Sequence, residues 1–246
     1  MVAGTVGGAA LITTEVAMAR TRRYAKPDLR LAIRTSHGDI SAPVIRLVLL
    51  GDSSALGVGV ERVADTVGGT IATLLAAEDR RVELSSVAVV GSRCSDLGTQ
   101  VARALLGPRP DVAVILVGAN DATGLRRPAE AAASLAAAVT RLRAAGVEVV
   151  VGTCPDLGAA RAIAPPLRQV VGALGRRVAK AQTIAVRTAG GVPVDLAEMT
   201  GPVFRADAGT LCHDGYHPSA DGYRVWAHAL MPAVVDALAA APDRSL

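Results

Sequence analysis

The sequence predicts an α/β fold: a doubly wound sandwich in which one parallel sheet carries helices on both faces. Three observations predict it. Short β-branched and leucine-rich runs alternate about five times with longer Ala/Leu/Arg-rich segments of helical spacing. Several of the short runs are apolar almost throughout, as strands covered on both faces are. The first four each end at a glycine, Gly51, Gly91, Gly118 and Gly152.

The strands are read in order as Val44 to Leu50, Val82 to Val90, Val112 to Val117, Val147 to Val151 and a weaker Val192 to Leu196. The intervening helices are Arg62 to Glu78, Ser95 to Leu106, Pro128 to Ala145, Pro166 to Thr188 and Ser219 to Ala241. Pro128 followed by Glu130, and Ser219 after Pro218, are good helix starts, because a first-turn proline loses no helical hydrogen bond and a serine can cap one. Right-handed crossovers then build the sheet. Neither a repeat nor a linker divides the body. Residues 41–246 read as one domain and residues 1–40 as an N-terminal extension.

Composition narrows the function classes. With 51% hydrophobic and 20% charged residues in 246, the chain can bury a core and is not a disordered one. The aromatics are five, Trp226, Phe204, Tyr24, Tyr216 and Tyr223, so the core is built from Ala, Val and Leu. Such a chain lacks the rings of a base-stacking surface. Its net charge of +4 comes from arginines scattered except at Arg20, Arg22 and Arg23, so no nucleic-acid partner is expected. Three cysteines, Cys94, Cys154 and Cys212, are too few and too widely spaced for a disulfide framework. Cys154 reads as a small buried thiol, and a bond from it to Cys212 is conceivable because both fall on one sheet edge. No C-x-x-C pair or histidine cluster offers a zinc site, and no carboxylate cluster suggests a metal or other cofactor.

Val2 to Thr14 is an uncharged apolar run, followed by Glu15, Ala17-Met18-Ala19 and the arginine cluster. Three readings stay open for it: a plain or membrane-hugging helix, a membrane anchor, or an export signal. The absence of a preceding positive charge argues against export, and the basic flank would hold the body on the cytoplasmic side if the segment inserts. The expected compartment is cytoplasmic, with membrane association through this segment as an option and export as the alternative.

In a doubly wound sheet the site lies at the carboxyl ends of the strands. Those ends carry Gly51-Asp52-Ser53-Ser54, Gly91-Ser92-Arg93 and Gly118-Ala119-Asn120-Asp121, and a long loop after the fifth leads to Asp214-Gly215-Tyr216-His217-Pro218. A serine hydroxyl needs an adjacent base to be a nucleophile, and an imidazole is the side chain best suited to that near neutral pH. An acid must then fix the imidazole, and donors must meet the developing oxyanion. Ser53, His217 and Asp214 can supply the first set; the Ser53 and Gly91 backbone N–H groups and the Asn120 amide can supply the donors. Asp52 and Asp121 read as structural carboxylates. His213 and His228 are the rival bases, and Asp207 and Asp221 the rival acids.

These four blocks, in this order, resemble the SGNH/GDSL hydrolase family over about Val44 to Ala241. The resemblance implies a flavodoxin-like three-layer α/β/α fold with a five-stranded parallel sheet, and ester hydrolysis through an acyl-serine. It assigns Ser53 as nucleophile, Gly91 and Asn120 as oxyanion donors, and Asp214 and His217 as the other triad members. Ser54 departs from the leucine that often follows the motif serine, which bears on substrate fit. The Gly-x-Ser-x-Gly elbow of α/β-hydrolases is absent, and Gly57-Val58-Gly59 lacks the remainder of a phosphate loop.

The expected function is therefore a serine esterase acting on a small-molecule ester. An acyltransferase or a deacylase of sugars or natural products would use the same residues, and a flavodoxin-like binding module without turnover is the reading from another class. Specificity should reside in Ser54 to Arg62, Ala122 to Arg127, Cys154 to Pro166 and Met199 to His213. Their small aliphatic content, with Phe204 as the one aromatic, suits an aliphatic acyl group. Arg126, Arg127 and Arg205 are placed where they could steer an anionic substrate.

Overall fold

The computed structural model describes residues 33–240. Its strands are β1 (Arg34–His37), β2 (Val44–Gly51), β3 (Arg81–Ser86), β4 (Val112–Leu116), β5 (Glu148–Gly152) and β6 (Val192–Val194). The helices are α1 (Ser53–Leu56), α2 (Val67–Ala76), α3 (Leu97–Ala104), α4 (Ala119–Thr123), α5 (Pro128–Ala144), α6 (Leu167–Thr188), α7 (Leu196–Ala206) and α8 (Ala220–Ala240). Across the sheet the strands run β1-β3-β2-β4-β5-β6. β1 pairs antiparallel with β3, and every other pairing is parallel.

Side chains on a strand alternate between faces, and β2 uses both. Leu47 and Leu49 face Val67, Ile71 and Leu75 of α2 and Tyr223, Trp226, Leu230 and Val234 of α8. Val48 and Leu50 face Leu97 and Val101 of α3 and Leu135, Val139 and Leu142 of α5. A third cluster, with Ala119, Cys154, Leu157, Val171 and Val178, lies where α4 and α6 meet the strand ends. The three-layer sandwich is thus the predicted one. Tyr223, fully buried, donates its hydroxyl to Val58 O at 2.7 Å, so α8 also anchors the loop after α1.

Among the described residues the sheet has six strands, not five. β1 escapes the sequence because Arg-Thr-Ser-His has no apolar run; an edge strand buries little and needs none. The stretch read as a long loop after the fifth strand contains α7, whose Asp195 cap accepts from Glu198 N at 3.0 Å. Gly201 and Pro202 inside α7 are the residues that masked it. The second strand is also shorter than expected. Val87 N and Val89 N still bond Leu49 O and Gly51 O, at 2.9 and 3.1 Å, but the segment leaves the sheet after Ser86. Pro193 is tolerated in β6 because that strand is the sheet's other edge. The apolar N-terminal run and its possible signal lie outside the described residues. Among the described residues no helix is long and apolar enough to cross a membrane.

The site is positioned by a topological switch. From β2 the chain moves outward to β3, then crosses back to β4 on the other side, which opens a crevice above the carboxyl ends of β2 and β4. Gly51 is what lets those ends close up. Its φ is +129°, and a Cβ there would lie 1.8 Å from Leu116 O. The next residue, Asp52, donates its backbone N–H to that same oxygen at 3.0 Å. Gly51→Ala combines a strained backbone with a clash against a main-chain oxygen, and is expected to lower unfolding stability by about 2–4 kcal/mol. Urea denaturation measures it, and a loss under about 1 kcal/mol would show that the strand ends can separate freely.

Candidate active site

Asp52 and Ser53 form the turn from β2 into α1. The cap of this helix is Asp52, whose Oδ1 accepts from Ser54 N at 2.9 Å. Ser53 is therefore released from a capping role, and its hydroxyl turns instead to His217, with Oγ 3.0 Å from Nε2. The first residue of a helix also has no carbonyl one turn back for its N–H, which keeps the Ser53 backbone donor available.

His217 and Asp214 sit in a tight hairpin just before α8. Leu211 and Pro218 form its bridge, Cys212 N donates to His217 O at 2.8 Å, and Ser219 N donates to Thr210 O at 2.9 Å. Ser219 Oγ then accepts from Gly222 N at 3.3 Å, the helix start read from the sequence. Asp214 holds the turn together. Its Oδ1 accepts from Tyr216 N at 2.7 Å and His217 N at 2.8 Å, and its Oδ2 lies 2.6 Å from His217 Nδ1. The Cys212 thiol adds a donor to Oδ1 at 3.1 Å.

Those contacts decide the charge states. Burial works to raise the Asp214 carboxyl, but the His217 ring and the Tyr216 and His217 backbone donors outweigh it and hold the group well below the usual carboxylate range. An ionised carboxylate can only accept, so the Nδ1 facing it carries a proton and Nε2 is left as the acceptor for the serine hydroxyl. Burial, with Asp214 close by, pushes the Cys212 thiol up to about 11, so it remains a neutral S–H donor at neutral pH. The arrangement can thus pass a proton from a hydroxyl to an imidazole beside a fixed negative charge.

Of the second group of predicted residues, Asn120 stands in the first turn of α4. Asn120 Nδ2 donates to Ser92 O at 3.0 Å, tying α4 to the loop that carries Gly91. The same Nδ2 lies 3.5 Å from Asp52 Oδ2, at the outer limit of hydrogen bonding for its other hydrogen. Asp121 accepts from Cys94 N at 3.1 Å. Gly91 lies exposed on its loop. Gly118, at φ +128°, brings the loop after β4 so close to α6 that a Cβ would meet Gln182 Nε2 at 2.7 Å.

Two buried glutamines were missed by the sequence reading. Gln100 of α3 accepts from Gly51 N at 2.7 Å and donates to Gly51 O at 2.9 Å and Ser92 Oγ at 3.0 Å, pinning the serine turn to the Gly91 loop. Gln182 of α6 accepts from Cys154 N at 2.7 Å and donates to Val117 O at 3.0 Å, joining the ends of β5 and β4. A signal existed. Gln100 shares its helical stripe with Leu97, Val101 and Ala104, and Gln182 lies on the stripe of Val178 and Val186. A polar residue in such a stripe must be buried, and so must be bonded.

The rivals are elsewhere. His213 and His228 are exposed, Asp207 accepts from Gly209 N, and Asp221 pairs with Arg224. The three cysteines are free thiols, so the conceivable Cys154–Cys212 bond is not formed: Cys154 is buried and Cys212 is turned to Asp214. Arg205, one of the arginines placed to steer an anion, is instead paired with Asp156, and Arg127 lies 3.9 Å from Glu130. A narrow cavity of about 40 Å³ opens beside the site, lined by Ser54, Leu157, Phe204, Tyr216, His217 and Trp226 among others. It is more aromatic than the loops suggested, because α8 contributes Trp226 from beneath.

Burial pushes the Asp52 carboxyl up to about 6, against the pull of its Ser54 bonds. A carboxyl raised on folding binds more protons in the native state, so its stability contribution is present below the ordinary value near 4 and is lost as pH rises to about 6. Asp52→Asn keeps an acceptor for Ser54 but cannot ionise. Relative to the parent, it should gain on the order of 2–3 kcal/mol of unfolding stability between pH 4 and pH 7. Urea titrations at both pH values test this; a pH-independent difference would refute it.

Residues 49–225 match the family model described as GDSL-like lipase/acylhydrolase. The chain is 45% identical over 197 residues to the GDSL-like esterase Rv1075c of Mycobacterium tuberculosis, a match covering 79% of this chain and 63% of that one. The chain thus spans under two thirds of that relative's length. Among solved structures, a lipase/acylhydrolase from Enterococcus faecalis is similar at TM-score 0.63 and 22% identity, over 77% of this chain and 95% of that one. An acetylxylan esterase from Geobacillus stearothermophilus is similar at TM-score 0.55 and 20% identity, over 77% and 94%. Both show the same fold. The ordered blocks at the strand ends, the matched span and this fold agree: the chain belongs to the GDSL-like lipase/acylhydrolase family.

Proposed function

We propose that this protein hydrolyses carboxylic esters through an acyl-serine intermediate formed on Ser53. The observation that carries the reading is the unbroken chain Ser53 Oγ–His217 Nε2–His217 Nδ1–Asp214 Oδ2, at 3.0 and 2.6 Å, between residues 164 apart in sequence. His217 takes the hydroxyl proton as Ser53 attacks the acyl carbonyl, and returns it to the departing alcohol. Asp214 stabilises the imidazolium that exists between those steps. Water then repeats the sequence and releases the acid. Membership of the family and the esterase name of the mycobacterial relative support the same reading.

The oxyanion is assigned to the Ser53 and Gly91 backbone N–H groups and to the second Nδ2 hydrogen of Asn120, the one not taken by Ser92 O. That hydrogen's weak contact with Asp52 gives it up at little cost when a full negative charge develops nearby.

Ser53→Ala is expected to leave only residual turnover of a p-nitrophenyl ester, about 10³–10⁴-fold above water, while remaining folded. Activity near the parent level in a folded Ser53→Ala variant would refute the mechanism. For Asn120→Ala the expected loss is about 10²–10³-fold in kcat with a smaller effect on KM. A change confined to KM would place Asn120 in ground-state binding instead.

A further inference from the structure

We propose that the ion pair between Asp156 and Arg205 sets the length of acyl chain accepted beside Ser53, restricting the enzyme to short acyl esters. This rests on the serine-esterase reading and adds to it the residues that fix substrate class.

The cavity next to His217 lies between two separate pieces of chain. One wall is the loop after β5, with Pro155, Leu157 and Ala160; the other is α7, with Thr200, Gly201 and Phe204. Asp156 stands at their junction. Its Oδ1 accepts from Gly158 N at 3.0 Å, which fixes the loop's own turn, and its Oδ2 pairs closely with Arg205 Nη1 on α7. The Asp156 side chain is 4% exposed and that of Arg205 54%, so the guanidinium closes the junction from outside. Arg161 Nη2 adds a bond to Arg205 O at 3.4 Å. Gly201 allows the approach: a Cβ there would lie 3.0 Å from Asp156 Cβ. The loop is held on its other side by Ala162 N, which donates to Gly215 O of the His217 hairpin at 3.0 Å.

Held in this way, the walls leave about 40 Å³. One water already needs roughly 10–15 Å³ of such space, so a cavity this small admits only a short acyl group. That suits acyl groups from acetyl to butyryl. A longer chain requires the loop and α7 to part, and the ion pair opposes that movement.

The test compares kcat/KM for p-nitrophenyl acetate, butyrate, octanoate and decanoate in the parent, Arg205→Met and Arg205→Lys, with Ser53→Ala as the control. The parent should lose at least about 10-fold from butyrate to decanoate, since a chain that overfills a fixed pocket is rejected by about that factor or more. Arg205→Met, which keeps the aliphatic stem, should raise the decanoate-to-acetate ratio about five-fold or more, and Arg205→Lys should restore the parent ratio. If Arg205→Met does not fold, Asp156→Asn breaks the same pair and is read the same way. A uniform fall on all four esters, or an unchanged ratio, would show that the pair only stabilises the fold and would overturn the proposal. A parent that is active and dependent on Ser53, with an unchanged ratio in the variants, removes this inference alone. Turnover that survives Ser53→Ala removes the underlying mechanism.

Discussion

The geometry of the site depends on how closely β2 and β4 pass at their carboxyl ends. At Gly51 the backbone turns to φ +129°, where a Cβ would lie 1.8 Å from Leu116 O, and glycine carries none. Asp52 N can therefore reach Leu116 O. That contact delivers two chain exits, one bearing Ser53 and the other Asn120, to the same crevice. Gln100 then holds the Gly51 turn and the Gly91 loop from one side, and Gln182 ties the ends of β4 and β5 on the other. These are buried, fully used amides in a sandwich whose interior is mostly aliphatic. Such bonds contribute little net stability each, but the cost of leaving them unmade is large, so they enforce one arrangement of the loops.

Three carboxylates at the crevice show how the surroundings assign roles to one residue type. Asp52 and Asp121 have lost solvent and gained few donors, so burial dominates and raises both. Asp214 is also partly buried, but its two oxygens receive the imidazole, two backbone N–H groups and a thiol. The donors win there, and the group stays charged. That charge faces the His217 ring, whereas Asp52 serves its turn as an acceptor whether ionised or not. The same chemistry in the sequence thus divides by the number of N–H groups that face each oxygen.

Much of this was legible in the sequence, for a physical reason. Strands buried on both faces must be apolar, so β2, β4 and β5 announce themselves, and a doubly wound sheet concentrates function where such strands end. Ser53, Gly91, Asn120, Asp214 and His217 could be picked out because each lies in a block at those positions. The parts that were not legible are those whose burial is slight or whose partners are distant. β1 has one neighbour and needs no apolar pattern. α7 reads as a loop because Gly201-Pro202 breaks its local signal, while Asp195 at its start and Phe204 against Trp226 supply the tertiary support. Asp156 and Arg205 are 49 residues apart, and nothing in their neighbourhoods names one as the partner of the other.

Ser53 and His217, the proposed reacting pair, are supported in different ways, and this shapes what the fold can vary. Ser53 stands on the sheet through β2. His217 stands on a hairpin outside the sheet, three residues from Asp214, whose carboxylate holds the turn together. The hairpin is seated by close contacts rather than by strands: Gly59 approaches Pro218 O, Gly215 O receives Ala162 N, and Tyr223 of α8 holds the Val58 carbonyl beneath. A hairpin that carries its own acid–base geometry needs only to be placed, not shaped, by its surroundings. α7 can therefore change the cavity beside it while the path from Ser53 to Asp214 keeps its distances, because none of that path's bonds is made to α7, whereas the loop after β5 is tied to the hairpin through Ala162 N.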